Sequence, residues 1–178
     1  DVVGFTPMTS AMPPGSILRF MNFLFGEFDT IASRYGCERI KTIGDGYMAV
    51  CGAPVMFENH AERLACMAVD MMKDISLPED IRAFLTTGQR FSLRIGLHCG
   101  EITAGLIGTG KLAYDIYGDA VNTASRMESH GEAGKIHCTE DFMNALSVSS
   151  DASFHFHERG EMIIKGKGKM KTYFLEPI

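Results

Sequence analysis

Two hydrophobic periods alternate along this chain. From residue 16 to about 35, Ile17, Phe20, Met21, Leu24, Phe28 and Ile31 fall at helical spacing, with Ser16 as the predicted cap and Gly36 placed to end the helix. The same period returns from residue 58 to about 73 through Ala61, Leu64, Ala65, Ala68, Val69 and Met72. Between them, residues 38–43 and 47–51 read as strands joined by Gly44-Asp45-Gly46, a hairpin signal that also exposes Asp45 at the sheet's end. Residues 1–6 read as the end of a strand entering a tight loop at Gly4. After an irregular stretch with Pro78 and Gly88, residues 91–100 and 102–107 are predicted strands. Residues 112–117 alternate as a strand, Gly118 breaks the pattern, and Asp119 is the predicted cap of a helix to about residue 129. A short strand (135–138) and a short helix (140–146) follow, and three closing strands (153–158, 162–165 and 171–175) surround a Gly/Lys turn.

Strands and helices alternate irregularly, with several hairpins. That predicts an α/β (α+β) sandwich on a mixed, mainly antiparallel sheet rather than a doubly wound parallel one. At 178 residues the chain is one domain able to bury a core without disulfides or structural metal. Its apolar runs stay short of a membrane span, so no membrane contact by this domain is expected. The chain opens on Asp rather than Met, which reads as a fragment of a longer protein. Five scattered cysteines without a C-x-x-C pair fit free thiols in a reducing, cytoplasmic setting. A net charge of −5 argues against a nucleic-acid partner.

Several groups of residues bear on chemistry. Gly105 to Lys111 fits most of a phosphate-loop pattern, but Leu112 stands where the metal-binding hydroxyl belongs and a strand follows, so a hairpin turn is the better reading. Asp1 and Asp45 lie at the ends of neighbouring predicted strands. They are either unrelated surface carboxylates or a pair held together by a hard cation, Mg²⁺ or Mn²⁺. Asn122 and Arg126, four residues apart, leave one face of their helix, as an ordinary polar surface or as a working pair. Lys165, Lys167, Lys169 and Lys171 make a cationic turn, which reads as a solvated hairpin, an anion-binding patch or a flap over a triphosphate. The six histidines lack metal-binding spacing and receive no site role.

Five stretches, DVVGFT (1–6), RIKTIGDGYMAV (39–50), RIGLHCGEITAGLIG (94–108), YDIYGDAVNTASRM (114–127) and IIKGKGKMKTYFL (163–175), closely resemble the catalytic domain of the class III nucleotidyl cyclases, adenylyl cyclase type. They occur in the family's order across essentially the whole chain. The resemblance implies a ferredoxin-like βαββαβ core flanked by helices. It implies that Asp1, Asp45 and the Val2 carbonyl hold two Mg²⁺ or Mn²⁺ ions, and that the backbone at Gly4, Phe5 and Thr6 cradles phosphates. Asn122 would position the ribose, Arg126 would stabilise charge on the α-phosphate, and Lys165 would bind the terminal phosphates. Lys41 and Asp115 would read the base. In the family, Lys with Asp marks adenylyl cyclases and Glu with Cys guanylyl ones, so the expected reaction is ATP to cyclic AMP and pyrophosphate. The alternatives are a guanylyl cyclase, a silent nucleotide-binding regulatory module, or an anion-binding scaffold built on the lysine turn. The resemblance also implies a head-to-tail homodimer with sites shared between copies, under an upstream regulatory domain of unknown kind.

Overall fold

The computed structural model describes residues 1–73, 75–85, 92–149 and 154–178. Helix α1 (Phe5–Thr9) leads into α2 (Pro14–Arg34), whose Phe20, Leu24, Phe28 and Ala32 form one buried row four residues apart. Hairpin β1 (Glu38–Ile43)–β2 (Gly46–Val50) follows, then α3 (His60–Met72) and the one-turn α4 (Glu79–Arg82). Strand β3 (Ile95–Leu97), hairpin β4 (Thr103–Ile107)–β5 (Ala113–Tyr117) and helix α5 (Asp119–Ser129) form the middle of the chain. Strand β6 (Ile136–Thr139), α6 (Glu140–Ser149), β7 (Phe154–Ile164) and β8 (Gly168–Pro177) close it.

The largest ladder runs β3-β6-β8-β7, with β3 parallel to β6 and the other pairs antiparallel. The hairpins β1–β2 and β4–β5 form their own ladders, so the sheet is mixed and mainly antiparallel, as the sequence predicts. Helix α3 serves two cores. Its Met67 and Met71 pack with α2 and with Val2 and Leu93, while Ala61, Ala65 and Ala68 pack on β3, β6, α6 and β8. The small alanine face lets the helix lie close to the sheet, and the methionines fill the irregular space toward α2.

Some predicted boundaries are corrected. The predicted cap Ser16 lies inside α2, which starts at Pro14, where a proline suits the first helical position. Gly118 rather than Asp119 caps α5, with φ 138°. Helix α6 runs on past residue 146. Strand β3 is shorter than predicted at both ends, covering only Ile95–Leu97, and residue 91 lies outside the described residues, as do Gly88 and residue 153. Residues 154–164 make one strand where two are predicted, because Gly160, at φ 98°, takes up a register shift instead of ending the ladder. Helix α1 sits where a loop is expected.

Candidate nucleotide and metal site

The first three residues form an extended stub rather than a loop entry alone. Val2 bridges Leu93 in antiparallel fashion, Arg94 N–H donates to the Asp1 carbonyl at 2.9 Å and the Asp1 nitrogen to the Arg94 carbonyl at 3.0 Å. Asp1 and Arg94 are thus opposite each other across two strands, and the Arg94 guanidinium reaches the Asp1 carboxylate at 3.2 Å and Glu128 on α5 at 2.7 Å. Asp45 lies near the Asp1 segment. It sits in the β1–β2 turn behind Gly44, whose φ of 60° suits glycine.

Two carboxylates from adjoining segments, without a histidine or cysteine, match the donors that Mg²⁺ and Mn²⁺ prefer. Among the described residues no cluster of three or more acidic, histidine or cysteine side chains is gathered for a metal. A site here would be completed by backbone and substrate oxygens, the usual arrangement where Mg²⁺ meets a nucleotide.

Lys41 on β1 and Asp115 on β5 meet directly, Nζ to Oδ2 at 2.8 Å. The Asp115 carboxylate also accepts from the Ile116 N–H at 2.8 Å and the Tyr117 hydroxyl at 3.3 Å. The hydrogen bond from Lys41 holds Asp115 below the usual carboxylate range, and the same bond raises Lys41. A donor and an acceptor therefore stand side by side on the surface, each in its charged form. Nearby, Ile43, two residues along β1 from Lys41, and Tyr117, whose hydroxyl reaches Asp115, are exposed.

Helix α5 lies against β3 at Gly96, where a β-carbon would stand 2.0 Å from the Glu128 nitrogen and 2.6 Å from the Ala124 oxygen. Thr123 and Met127 are buried, while Asn122 and Arg126 are exposed and, as their spacing predicts, leave one face a turn apart. Residues 108–112 join β4 to β5 as a hairpin, so the phosphate-loop pattern there carries no helix. The lysine turn comes back over the start of α5: Lys167 pairs with Asp119, while Lys165 is exposed, without an ion pair among the described residues. Gly4, at φ 70°, precedes α1, so the Phe5 and Thr6 amides open a helix and have no carbonyl one turn back. A cavity of about 420 Å³ between α2, α3 and α5 is lined by Asp1, Lys41, Asn122 and Glu128 among others.

Sequence reasoning missed Arg94 and Glu128, and it did not set Lys167 apart within the cationic turn. A charged residue in a predicted strand was the available signal for Arg94. Two histidines have structural partners: His137 Nδ1 donates to the Met127 carbonyl at 2.7 Å, and His60 Nδ1 to the Phe57 carbonyl at 3.0 Å. No helix among the described residues is long and apolar enough to cross a membrane.

The adenylate and guanylate cyclase catalytic domain family matches residues 1–177. Guanylate cyclase soluble subunit beta-2 of Rattus norvegicus is 42% identical over 175 residues, covering 98% of this chain and 25% of that protein. An adenylate cyclase of Mycobacterium tuberculosis is 38% identical over 175 residues, covering 98% of this chain and 38% of that protein. The crystal structure of the guanylate cyclase domain of RhGC from Catenaria anguillulae in complex with GTP superposes with a TM-score of 0.83 at 36% identity, over 99% of this chain and 92% of that one. The chain thus spans between a quarter and two-fifths of those two sequence relatives, which act on different nucleotides by name. With the fold, the exposed α5 face and the match over nearly every residue in agreement, the chain belongs to the adenylate and guanylate cyclase catalytic domain family.

Proposed function

We propose that this domain is an adenylyl cyclase that converts ATP to 3′,5′-cyclic AMP and pyrophosphate. The observation that carries the reading is the Lys41–Asp115 pair, a donor beside an acceptor with both groups charged. Lys41 would donate to adenine N1 and Asp115 accept from the N6 amino group, a match that a wrong base leaves unpaired. Asn122 would hold the ribose so that its 3′-oxygen faces the α-phosphorus in line with the departing pyrophosphate. Arg126 would face the charge that builds on the α-phosphate, and Lys165, with the backbone at Gly4, Phe5 and Thr6, would hold the terminal phosphates. Among the described residues no side chain stands as an obvious general base, which suits a reaction driven by alignment and charge.

Asp1, Asp45 and the Val2 carbonyl are the residues that would hold two Mg²⁺ or Mn²⁺ ions. Bound there, the ions would acidify the attacking hydroxyl and neutralise phosphate charge. Arg94 then keeps a second carboxylate, Glu128, on which its charge can rest when Asp1 turns to metal.

The site is proposed to form between two copies of the chain. Asp1 and Asp45 come from one copy, and Lys41, Asp115, Asn122, Arg126 and Lys165 from the other. The exposed Ile43 and Tyr117 side chains near Lys41 and Asp115 give that second copy a surface to cover. A guanylyl cyclase remains the second reading, favoured by the 42% identity to the beta-2 subunit. Turnover of ATP and of GTP with Mn²⁺, followed as cyclic nucleotide and pyrophosphate, separates them. Faster cyclic AMP formation is expected; a preference for GTP supports the second reading. ATP binding without pyrophosphate release at any protein concentration refutes both.

A further inference from the structure

We propose that Cys51 and Cys37 form a reversible, peroxide-responsive dithiol site at the base of the β1–β2 hairpin, independent of which nucleotide the domain uses. The β1–β2 register pairs Glu38 with Val50 and Arg39 with Ala49, so the next residues outward, Cys37 and Cys51, face each other. Cys37 N–H donates to the Ala32 carbonyl at 2.9 Å instead of across to residue 51. Opposite residues of an antiparallel ladder have Cα atoms about 4.5–5.5 Å apart, inside the range a disulfide requires. The Cys37 thiol donates to the Tyr35 carbonyl at 3.9 Å, the same carbonyl that Arg63 Nη1 reaches at 3.2 Å.

The surroundings give the two thiols different roles. Arg63 is fixed beside them, donating from Nη1 to the Tyr35 carbonyl at 3.2 Å and from Nε to Asn59 Oδ1 at 2.8 Å, with its guanidinium 4.1 Å from the Phe57 ring centre. The neighbouring Cys37 thiol, the Arg63 charge and the Gly52 amide pull the Cys51 thiol down against its burial. Cys37 is pushed up, first by the neighbouring Cys51 thiol and then by burial. Burial alone raises Cys138, to about 12, and burial first raises Cys66 and Cys99. Cys51 is also half-buried where Cys37 is buried. An acidified, reachable thiol beside a buried partner is the arrangement of a sensor cysteine and its resolving cysteine.

The chemistry balances with hydrogen peroxide as oxidant. The Cys51 thiolate attacks one peroxide oxygen, the O–O bond breaks, and the departing oxygen takes a proton to leave as water, giving a sulfenic acid on Cys51. The Cys37 sulfur then attacks the Cys51 sulfur, the S–O bond breaks, and the hydroxyl leaves as a second water with the Cys37 proton. Two thiols and one peroxide become one disulfide and two waters; a small dithiol reverses the bond. The link would close the segment that carries Lys41 and Asp45.

The test is peroxide treatment of the reduced full chain, followed by intact mass and a non-reducing peptide map. Loss of two hydrogens and a single Cys37–Cys51 linked peptide, reversed by dithiothreitol, are expected. At pH 7, iodoacetamide should label Cys51 about tenfold faster than Cys66. Cys37→Ser should leave a Cys51 sulfenic acid that dimedone traps, and Cys66→Ser should leave the linkage unchanged. A disulfide to another cysteine, or oxidation of Cys66 or Cys99 ahead of Cys51 in the unmutated chain, would overturn the proposal.

Discussion

Replacing Gly96 with alanine tests how helix α5 is positioned. The new methyl would lie 2.0 Å from the Glu128 nitrogen, 2.6 Å from the Ala124 oxygen and 2.6 Å from the Glu128 Cα. All three are backbone atoms of α5, so no side chain can swing aside. Restoring an ordinary contact of about 3.5 Å asks the helix to retreat by about 1.5 Å, the difference from 2.0 Å. Overpacking of this kind costs about 1–3 kcal/mol, and the upper end applies because the strain falls on backbone. At roughly 2–4 °C per kcal/mol for a chain of this size, the melting temperature should fall by about 6–12 °C. Asn122 and Arg126 ride on the same helix, and a misplacement of about 1 Å can cost roughly 100-fold in rate. Gly26 in α2 has open space at its β-carbon, so Gly26→Ala should hold or gain about 0.5–1 kcal/mol. Thermal melts and steady-state turnover of both variants give the answer. A Gly96→Ala protein as stable and active as the parent would refute the close approach of α5 to β3.

Other predictions rest on other parts of the site. Asp45→Asn should keep the fold, since the residue lies in a turn, yet lower turnover about 100-fold or more and raise the Mn²⁺ concentration for half activity; a metal titration reads both. Exchanging Lys41→Glu together with Asp115→Cys should move the preference from ATP toward GTP, measured as the ratio of kcat/KM values. The pH dependence of stability follows from His137, whose ring burial pulls below the usual histidine range and whose Nε2 has no hydrogen-bond partner among the described residues. The unfolded chain takes up that proton at higher pH than the folded one, so stability is full above about pH 6.5. It should fall as pH drops from there toward the folded-state value, then level off. His98, also lowered by burial, adds in the same direction. Urea midpoints between pH 7.5 and 5 check the slope (roughly the histidine range), and His137→Gln should flatten it.

Much of this arrangement was legible in the sequence wherever a feature is long and periodic. Helix α2 announces itself through its apolar spacing, and the Asn122–Arg126 face follows from four-residue spacing once α5 is recognised. Helix α1 was not legible: five residues with Pro7 among them carry no period to detect. Strand β7 was split because a glycine inside a strand and a glycine ending one look alike until the register is known. Arg94 escaped for a different reason. Its link to Asp1 spans 93 positions and exists only because the first residues pair with the segment before β3. In the lysine turn, alternation with glycine makes the four cations equivalent on paper. The fold then sets Lys167 on Asp119 and leaves Lys165 exposed.

The central claim, that two copies of the chain complete one site, is tested most directly by mixing two inactive variants. Asp45→Ala removes a proposed metal ligand and leaves the Arg126 face intact; Arg126→Ala does the reverse. In a head-to-tail dimer, a mixed pair holds one site with both residues present and one with neither. Equal mixing should therefore restore about one quarter of the parent's turnover, since half the dimers are mixed and each has one working site. A mixture as inactive as its components, from proteins shown to associate, would contradict the shared site.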